Sequence, residues 1–329
     1  MDFSQLSGLI GAHAEARIIH AAVDLGIFDG LAGKQLTVEQ LAAALRTDAA
    51  ASELLLNSLV ALRLLEKTEN LYSLSATAEK YLVGSSPHSL CGMIRFESST
   101  WDCWSKLADS VRSGKPARVP NMYQDDAQAT AIFIEAMDSL VKARGDAAVL
   151  AQALDWQKVT SLLDIGSGPA TYPIHLCRAF PLLRATLYDL PGTLKITERF
   201  VRAAELTDRI ELVAGDYRSD PIPGNYDVIF LSNIIHGENG NKNAALMSKL
   251  AENLHPRGRI VIKDHILDDT RAHPPVGAIF SMLMLLTTDG GRCYSFDEIK
   301  IWMEQAGLTK VEQIDLPPPM TSSLVIAHK

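Results

Sequence analysis

At 329 residues the chain is long enough for two domains, and a composition of 47% hydrophobic and 21% charged residues suits a folded protein with a full core. A net charge of −8 argues against a bulk nucleic-acid partner, which needs a basic face to displace counterions. The four scattered cysteines (Cys91, Cys103, Cys177, Cys293) lack metal-ligand spacing and read as reduced thiols, no secretory signal opens the chain, and the longest apolar run (276–286) is too short to span a bilayer, so a cytoplasmic protein without metal or membrane is expected.

The first 85 residues are Ala/Leu-rich with helical periodicity: Leu6, Leu9, Ile10, His13, Arg17 and His20 fall at i, i+3, i+4 spacings, and Ala16, Ile19 and Val23 continue an apolar side. Thr37-Val-Glu-Gln40 is a capping box that starts a helix through about residue 45, and a further helix is predicted over 51–64. Residues 65–74 read as two short strands around a Thr68-Glu-Asn70 turn, and a helix follows over 75–82. Three helices with a β-hairpin wing make a winged helix. Six Lys/Arg stand against ten Asp/Glu in these 85 residues, and 51–64 carries only Arg63 against Glu53, so a DNA reader is not expected.

Residues 86–155 read as a helical connector, with Trp101 and Trp104 at i, i+3 and one long helix over 125–154. From residue 156 the pattern alternates. Strands are predicted at 161–165, 185–189, 209–213, 226–232 and 258–263, with helices near 170–180, 193–205 and 241–254 between them; this rhythm implies a parallel, doubly wound α/β sheet. A capping box at Ser295-Phe-Asp-Glu298 opens another helix, which stops at Gly307, and 309–315 with 322–328 reads as a terminal antiparallel pair on one sheet edge.

The first strand of that sheet runs into Asp164-Ile-Gly166-Ser-Gly168, an imperfect GxGxxG with Thr171 at the third glycine position. Such a loop can serve a nicotinamide dinucleotide or a methyl donor. Asp189, after the second strand, can accept from both ribose hydroxyls in either case. Asp164 lies inside the loop, where a carboxylate suits a cationic amino-acid moiety better than a pyrophosphate. Gly215-Asp216-Tyr217 closes the third strand, placing a carboxylate for an adenine amino group and an aromatic ring to cover the base. Acid at three successive strand ends favours a cationic sulfonium ligand. His236, at the end of the fourth strand, is a candidate general base, since imidazole titrates near working pH.

Asp-Ile-Gly-Ser-Gly (164–168), Tyr-Asp-Leu-Pro (188–191), Gly-Asp-Tyr (215–217), Leu-Ser-Asn-Ile-Ile-His (231–236) and Pro-Arg-Gly-Arg-Ile-Val-Ile-Lys-Asp (256–264) occur in order, with residues 21–28, Trp104 and Val111-Arg-Ser-Gly114 before them. Together they resemble the S-adenosylmethionine-dependent small-molecule O-methyltransferases of the plant caffeate and animal acetylserotonin type, with their bacterial relatives. The resemblance implies a Rossmann-like class I methyltransferase domain carrying an N-terminal, mostly helical winged-helix dimerisation domain, hence a homodimer. It implies S-adenosylmethionine as cofactor, S-adenosylhomocysteine as product, and a small aromatic acceptor. By the same resemblance Asp164, Gly166, Gly168, Asp189, Leu190, Asp216, Tyr217 and Ser232 line the cofactor site and His236 is the base.

The surroundings of the base depart from the family. Gly237-Glu238-Asn239 stands where Asp-Trp is usual, leaving Glu238 and Asp264 as candidate carboxylate partners. A second family glutamate aligns with Cys293, so its role is lost or moved, with Asp289 as one replacement. The family also places the substrate pocket on segments that here carry Phe133, Met137 and Met284, and closes it with a partner's N-terminus, here near residues 3–13. Carbon methylation, or use of the bound sulfonium without methyl transfer, stays open as the alternative chemistry.

Overall fold

The computed structural model describes all residues except Met122 and Asp125 and divides into two compact units, Met1–Trp101 with Glu135–Ala143, and Asp102–Ile134 with Arg144–Lys329. The first unit opens with α1 (Phe3–Asp24), started by a reciprocal capping box between Asp2 and Gln5. Gly26, at φ +75°, turns the chain into α2 (Ile27–Leu31). The Thr37/Gln40 box opens α3 (Val38–Leu45), and Asp48 caps α4 (Ala49–Ala61). The antiparallel wing β1 (Leu65–Thr68) and β2 (Leu71–Leu74) follows, then α5 (Ala76–Tyr81) and α6 (Cys91–Ser99). Ala22, Ile27, Phe28, Leu31, Leu56, Leu59, Leu65 and Tyr72 form its core. The N-terminal half of α1 stays outside that core, with Phe3, Leu6, Leu9 and Ile10 exposed.

After α7 (Trp101–Ser105) and α8 (Leu107–Ser113), α9 (Ala127–Arg144) contributes residues to both units. The single helix expected over 125–154 is two helices. Gly145 takes φ +76° and breaks it, and α10 (Asp146–Ala153) starts after it; the expected start at Asp125 lies outside the described residues. The second unit then alternates β3 (Ser161–Ile165), α11 (Thr171–Ala179), β4 (Arg184–Asp189), α12 (Pro191–Ala203), β5 (Ile210–Ala214), β6 (Tyr226–Ser232), α13 (Gly240–Glu252) and β7 (Leu254–Asp264). It closes with β8 (Ile266–Leu267), α14 (Pro275–Thr287), β9 (Tyr294–Ser295), α15 (Phe296–Gln305), β10 (Thr309–Asp315) and β11 (Ser323–His328).

The seven-stranded order is β10-β11-β7-β6-β3-β4-β5, parallel except for β11, which runs antiparallel to both neighbours. The chain builds outward from β3 to β5, then returns to place β6 on the other side of β3. The order therefore reverses between β3 and β6, and the carboxyl ends of those strands are where open sheets of this kind take their ligands. No helix among the described residues is long and apolar enough to cross a membrane.

One polar group is set deep in this unit. Lys263 and Asp146, both 0% exposed, pair at 3.0 Å; Arg144 adds a second cation to Asp146 at 2.9 Å, and the Tyr172 hydroxyl donates to it at 3.3 Å. Burial pulls the Lys263 ammonium below its ordinary range against the pull of Asp146. Removing Asp146 takes away the carboxylate that pairs both cations, so Asp146→Ala is expected to cost about 3–5 kcal/mol in denaturant unfolding. Lys263→Met should cost clearly less, because Asp146 keeps Arg144. Equal losses would contradict this reading.

Candidate active site

The loop after β3 is shaped by its glycines. Gly166 sits at φ +63°, donates its N–H to the Tyr188 carbonyl at 2.8 Å, and has no room for a Cβ, which would run into the Ile234 side chain. Gly168 (φ +52°) donates to Asp189 Oδ2 at 2.8 Å, while its carbonyl accepts from Thr197 Oγ1 at 2.6 Å. Thr171 at the third glycine position is already the first residue of α11. Leu190, the N-cap of α12, donates its N–H to Asp189 Oδ1 at 2.7 Å.

Asp164 is only 2% exposed. Burial, and then the neighbouring Asp189 charge, push its carboxyl well above the usual carboxylate range. Asp189 is itself pushed up to about 6 by burial, even though Gly168, Leu190 and Thr193 donate to it. Among the described residues no ion pair offsets Asp164. Two adjacent carboxyls beside a close-approach glycine turn fit a ligand that brings positive charge and hydroxyl donors.

Beyond β5, Asp216 and Tyr217 reach the same edge, but Asp216 is not a free acceptor. Arg218 takes both carboxylate oxygens, with contacts of 2.8–3.1 Å, and holds the carboxyl below its usual range. The Tyr217 hydroxyl donates to Glu238 Oε1 at 3.3 Å. Ser232 ends β6 with its hydroxyl buried beside the Tyr172 phenol.

His236 follows on a 3-10 turn, Ile235–Gly237. Its Nδ1 lies 2.8 Å from Asp264 Oδ1, at the end of β7, and the same oxygen accepts the His265 N–H at 2.8 Å. Asp264 is buried, which alone would raise its pKa; His236 first, and then His265, outweigh this and hold the carboxyl below its usual range. An ionised carboxylate only accepts, so Nδ1 carries a proton, and in the neutral ring the lone pair is on Nε2, which has no partner among the described residues.

Glu238 does not share this role. It is 6% exposed and faces the Tyr217 hydroxyl, Lys242 Nζ at 3.3 Å and Arg218 Nε at 4.0 Å. The turn carries its side chain away from the imidazole. Its backbone carbonyl instead anchors the turn, accepting from the Tyr294 hydroxyl at 2.5 Å and, with the Ile235 carbonyl, from the Asn243 amide. Gly291 presses on the same turn, where a Cβ would stand 2.9 Å from the Gly237 carbonyl carbon and still nearer the His236 carbonyl.

Asp289 is exposed on the surface, and Cys293, where the family glutamate aligns, is a buried thiol pushed up to about 12 by burial and then by Asp264. It stays protonated. Phe280 covers His236 edge-on, with centroids 4.8 Å apart at 81°. The sequence did not single out Phe280, Asn243 or Tyr294.

Of the expected pocket residues, Met284 is buried on α14 and Phe133 stacks on Tyr123 at 4.5 Å, both in the second unit. Met137 belongs to the first unit, so the three are not joined within one unit.

Comparison with known proteins adds two matches along the chain. Residues 104–309 match the family model of an O-methyltransferase domain, and residues 7–84 that of an O-methyltransferase dimerisation domain. The chain is 31% identical over 316 residues to the tetracenomycin polyketide synthesis 8-O-methyl transferase TcmO of Streptomyces glaucescens, covering 94% of this chain and 92% of that one. It is 29% identical to the 3-hydroxy-5-methyl-1-naphthoate 3-O-methyltransferase of Streptomyces sahachiroi, over 96% and 92% of the two chains. Its fold is similar to that of human N-acetylserotonin methyltransferase in complex with SAM, at TM-score 0.90, 23% identity, and coverage of 100% of this chain and 98% of that one.

Proposed function

The chain belongs to the O-methyltransferase family, and on that premise we propose that it transfers methyl from S-adenosylmethionine to a hydroxyl of a small aromatic metabolite, with His236 as general base. The observation that carries the reading is the His236–Asp264 pair at the strand edge that also holds the Asp164/Asp189 loop. S-adenosylmethionine, when bound, supplies an electrophilic methyl group on a sulfonium. Asp164 would meet its positive charge, Asp189 its ribose hydroxyls, and Gly166 and Gly168 the close approach of its chain. Leu190, Tyr217 and Ser232 would line the rest of the site, and Asp216, with Arg218 attached, its adenine end.

A neutral phenol is a poor nucleophile. His236 Nε2 takes the hydroxyl proton as the oxygen attacks, while Asp264 holds Nδ1–H and stabilises the imidazolium that forms. Phe280 packs edge-on against the imidazole. The relatives named for a polyketide and a naphthoate acceptor support a flat aromatic substrate. The matched dimerisation segment and the exposed apolar face of α1 support a homodimer.

Incubation with methyl-labelled S-adenosylmethionine and a panel of phenols tests the reading. Labelled aryl ethers are expected; cofactor binding with no labelled ether, or with label on carbon, would overturn it in favour of the alternative chemistry.

Cofactor binding should also depend on pH through Asp189. Its carboxyl, at about 6 in the ligand-free fold, is protonated below that value and is then a weaker acceptor for the ribose hydroxyls. Affinity for S-adenosylhomocysteine is therefore expected to fall as pH drops through about 6, and binding near that pH to release a proton. The sign for stability is opposite: a raised carboxyl favours the ligand-free fold on the acid side, and that gain is lost as pH rises from about 4 to about 6. Calorimetric titration between about pH 5 and about pH 7.5 checks this, and a flat affinity would refute it.

A further inference from the structure

His265, next to Asp264, is a second imidazole at the site that the mechanism above leaves unused. Its backbone N–H supports Asp264, and its ring is held separately: Nδ1 lies 2.7 Å from the Thr321 carbonyl oxygen. A carbonyl can only accept, so Nδ1 is the protonated nitrogen and Nε2 carries the lone pair. Nε2 has no partner among the described residues. Burial also depresses the ring's pKa, against the pull of Asp264, which keeps it neutral and its lone pair available.

The ring's position connects it to the chemistry. Phe280 contacts both imidazoles, His236 at 4.8 Å and His265 at 5.0 Å between centroids, so the two histidines flank one phenyl ring. Gly277 of α14 lets the helix approach closely: a Cβ there would stand 2.8 Å from Leu267 and 3.5 Å from His265 Cβ. A flat acceptor resting on Phe280 with one hydroxyl at His236 would extend toward His265, since both imidazoles contact the same phenyl ring. The group that satisfies Nε2 must donate, and on an aromatic metabolite that is a second hydroxyl.

We propose that His265 is a specificity residue whose Nε2 accepts a hydrogen bond from a second hydroxyl of the acceptor, so that the enzyme selects dihydroxylated over monohydroxylated aromatics. The inference rests on the methyl-transfer reading above. A site that offers an unpartnered acceptor discriminates against the analogue lacking the donor, because the bound analogue covers that acceptor without pairing it.

The test compares kcat/KM for 1-naphthol with that for its 1,3-, 1,6- and 1,8-dihydroxy counterparts. In the wild type at least one dihydroxy isomer should be preferred by about tenfold or more. His265→Asn retains an amide donor for the Thr321 carbonyl and removes Nε2; His265→Phe removes both polar atoms and keeps a flat ring. In both variants the preference should collapse toward one, with the loss falling on KM of the dihydroxy acceptor. A wild-type preference near one for every isomer, or a preference that survives in both variants, overturns the inference while leaving the methyl-transfer reading standing. No labelled ether from any of these phenols overturns that reading and this inference with it.

Discussion

Replacing His236 with alanine is expected to lower kcat by about 10²–10⁴-fold while leaving affinity for S-adenosylhomocysteine within about twofold. The split follows from the geometry. His236 touches Asp264 and Phe280, whereas Asp189 is held by the Gly168 and Leu190 N–H groups and Asp164 is buried in the β3 loop. The loss should shrink for intrinsically acidic phenols, which need less help to ionise. A stability signature accompanies it. Asp264 is buried, and its depressed pKa depends first on His236. A depressed carboxyl contributes stability that is present above its unfolded pKa and lost as pH falls through its folded one. The alanine variant should therefore be less stable at neutral pH and lose less on acidification. Steady-state kinetics and calorimetry check both halves, and a kcat within about threefold of wild type would remove His236 from the mechanism.

Much of the fold was legible because its signals are local. The Thr37/Gln40 and Ser295/Glu298 boxes, the alternation of strands and helices, and the terminal β10–β11 pair are written in neighbouring residues, and each appears where its pattern predicts. The acidic strand ends were legible for the same reason. What escaped was either long-range or a matter of where a side chain points. The helical pattern over 125–154 passes through Gly145, whose positive φ breaks it, and Asp146 beyond it is held by Lys263 from β7. Glu238 is two residues from His236 in sequence, yet the 3-10 turn sends the two side chains to different partners. The charge of Asp216 suggested a ligand contact, but its neighbour Arg218 already satisfies it. Helical spacing on α14 marked an apolar segment without saying that Phe280, rather than a methionine, covers the base.

Asp264 separates orientation from charge in a way that two substitutions can read. One oxygen, Oδ1, accepts both the His236 imidazole and the His265 N–H, while Oδ2 is buried with no hydrogen-bond partner among the described residues. In Asp264→Asn the amide oxygen must occupy the Oδ1 position, because an amide nitrogen there would face the His265 N–H with a second donor. His236 therefore keeps its Nδ1–H tautomer and its orientation, and only the negative charge is lost. Hydrogen bonds to charged groups exceed neutral ones by about 1–1.5 kcal/mol, so kcat should fall by about tenfold, and somewhat further where the imidazolium is fully formed in the transition state. Asp264→Leu removes the acceptor altogether. The ring is then free to turn and to carry its proton on either nitrogen, and the loss should approach that of His236→Ala, about 10²–10⁴-fold. The ordering Asp > Asn > Leu in kcat, at unchanged affinity for S-adenosylhomocysteine, is the expected result. An Asn variant as impaired as Leu would show that charge alone matters. Wild-type turnover in Leu would show that His236 needs no carboxylate partner.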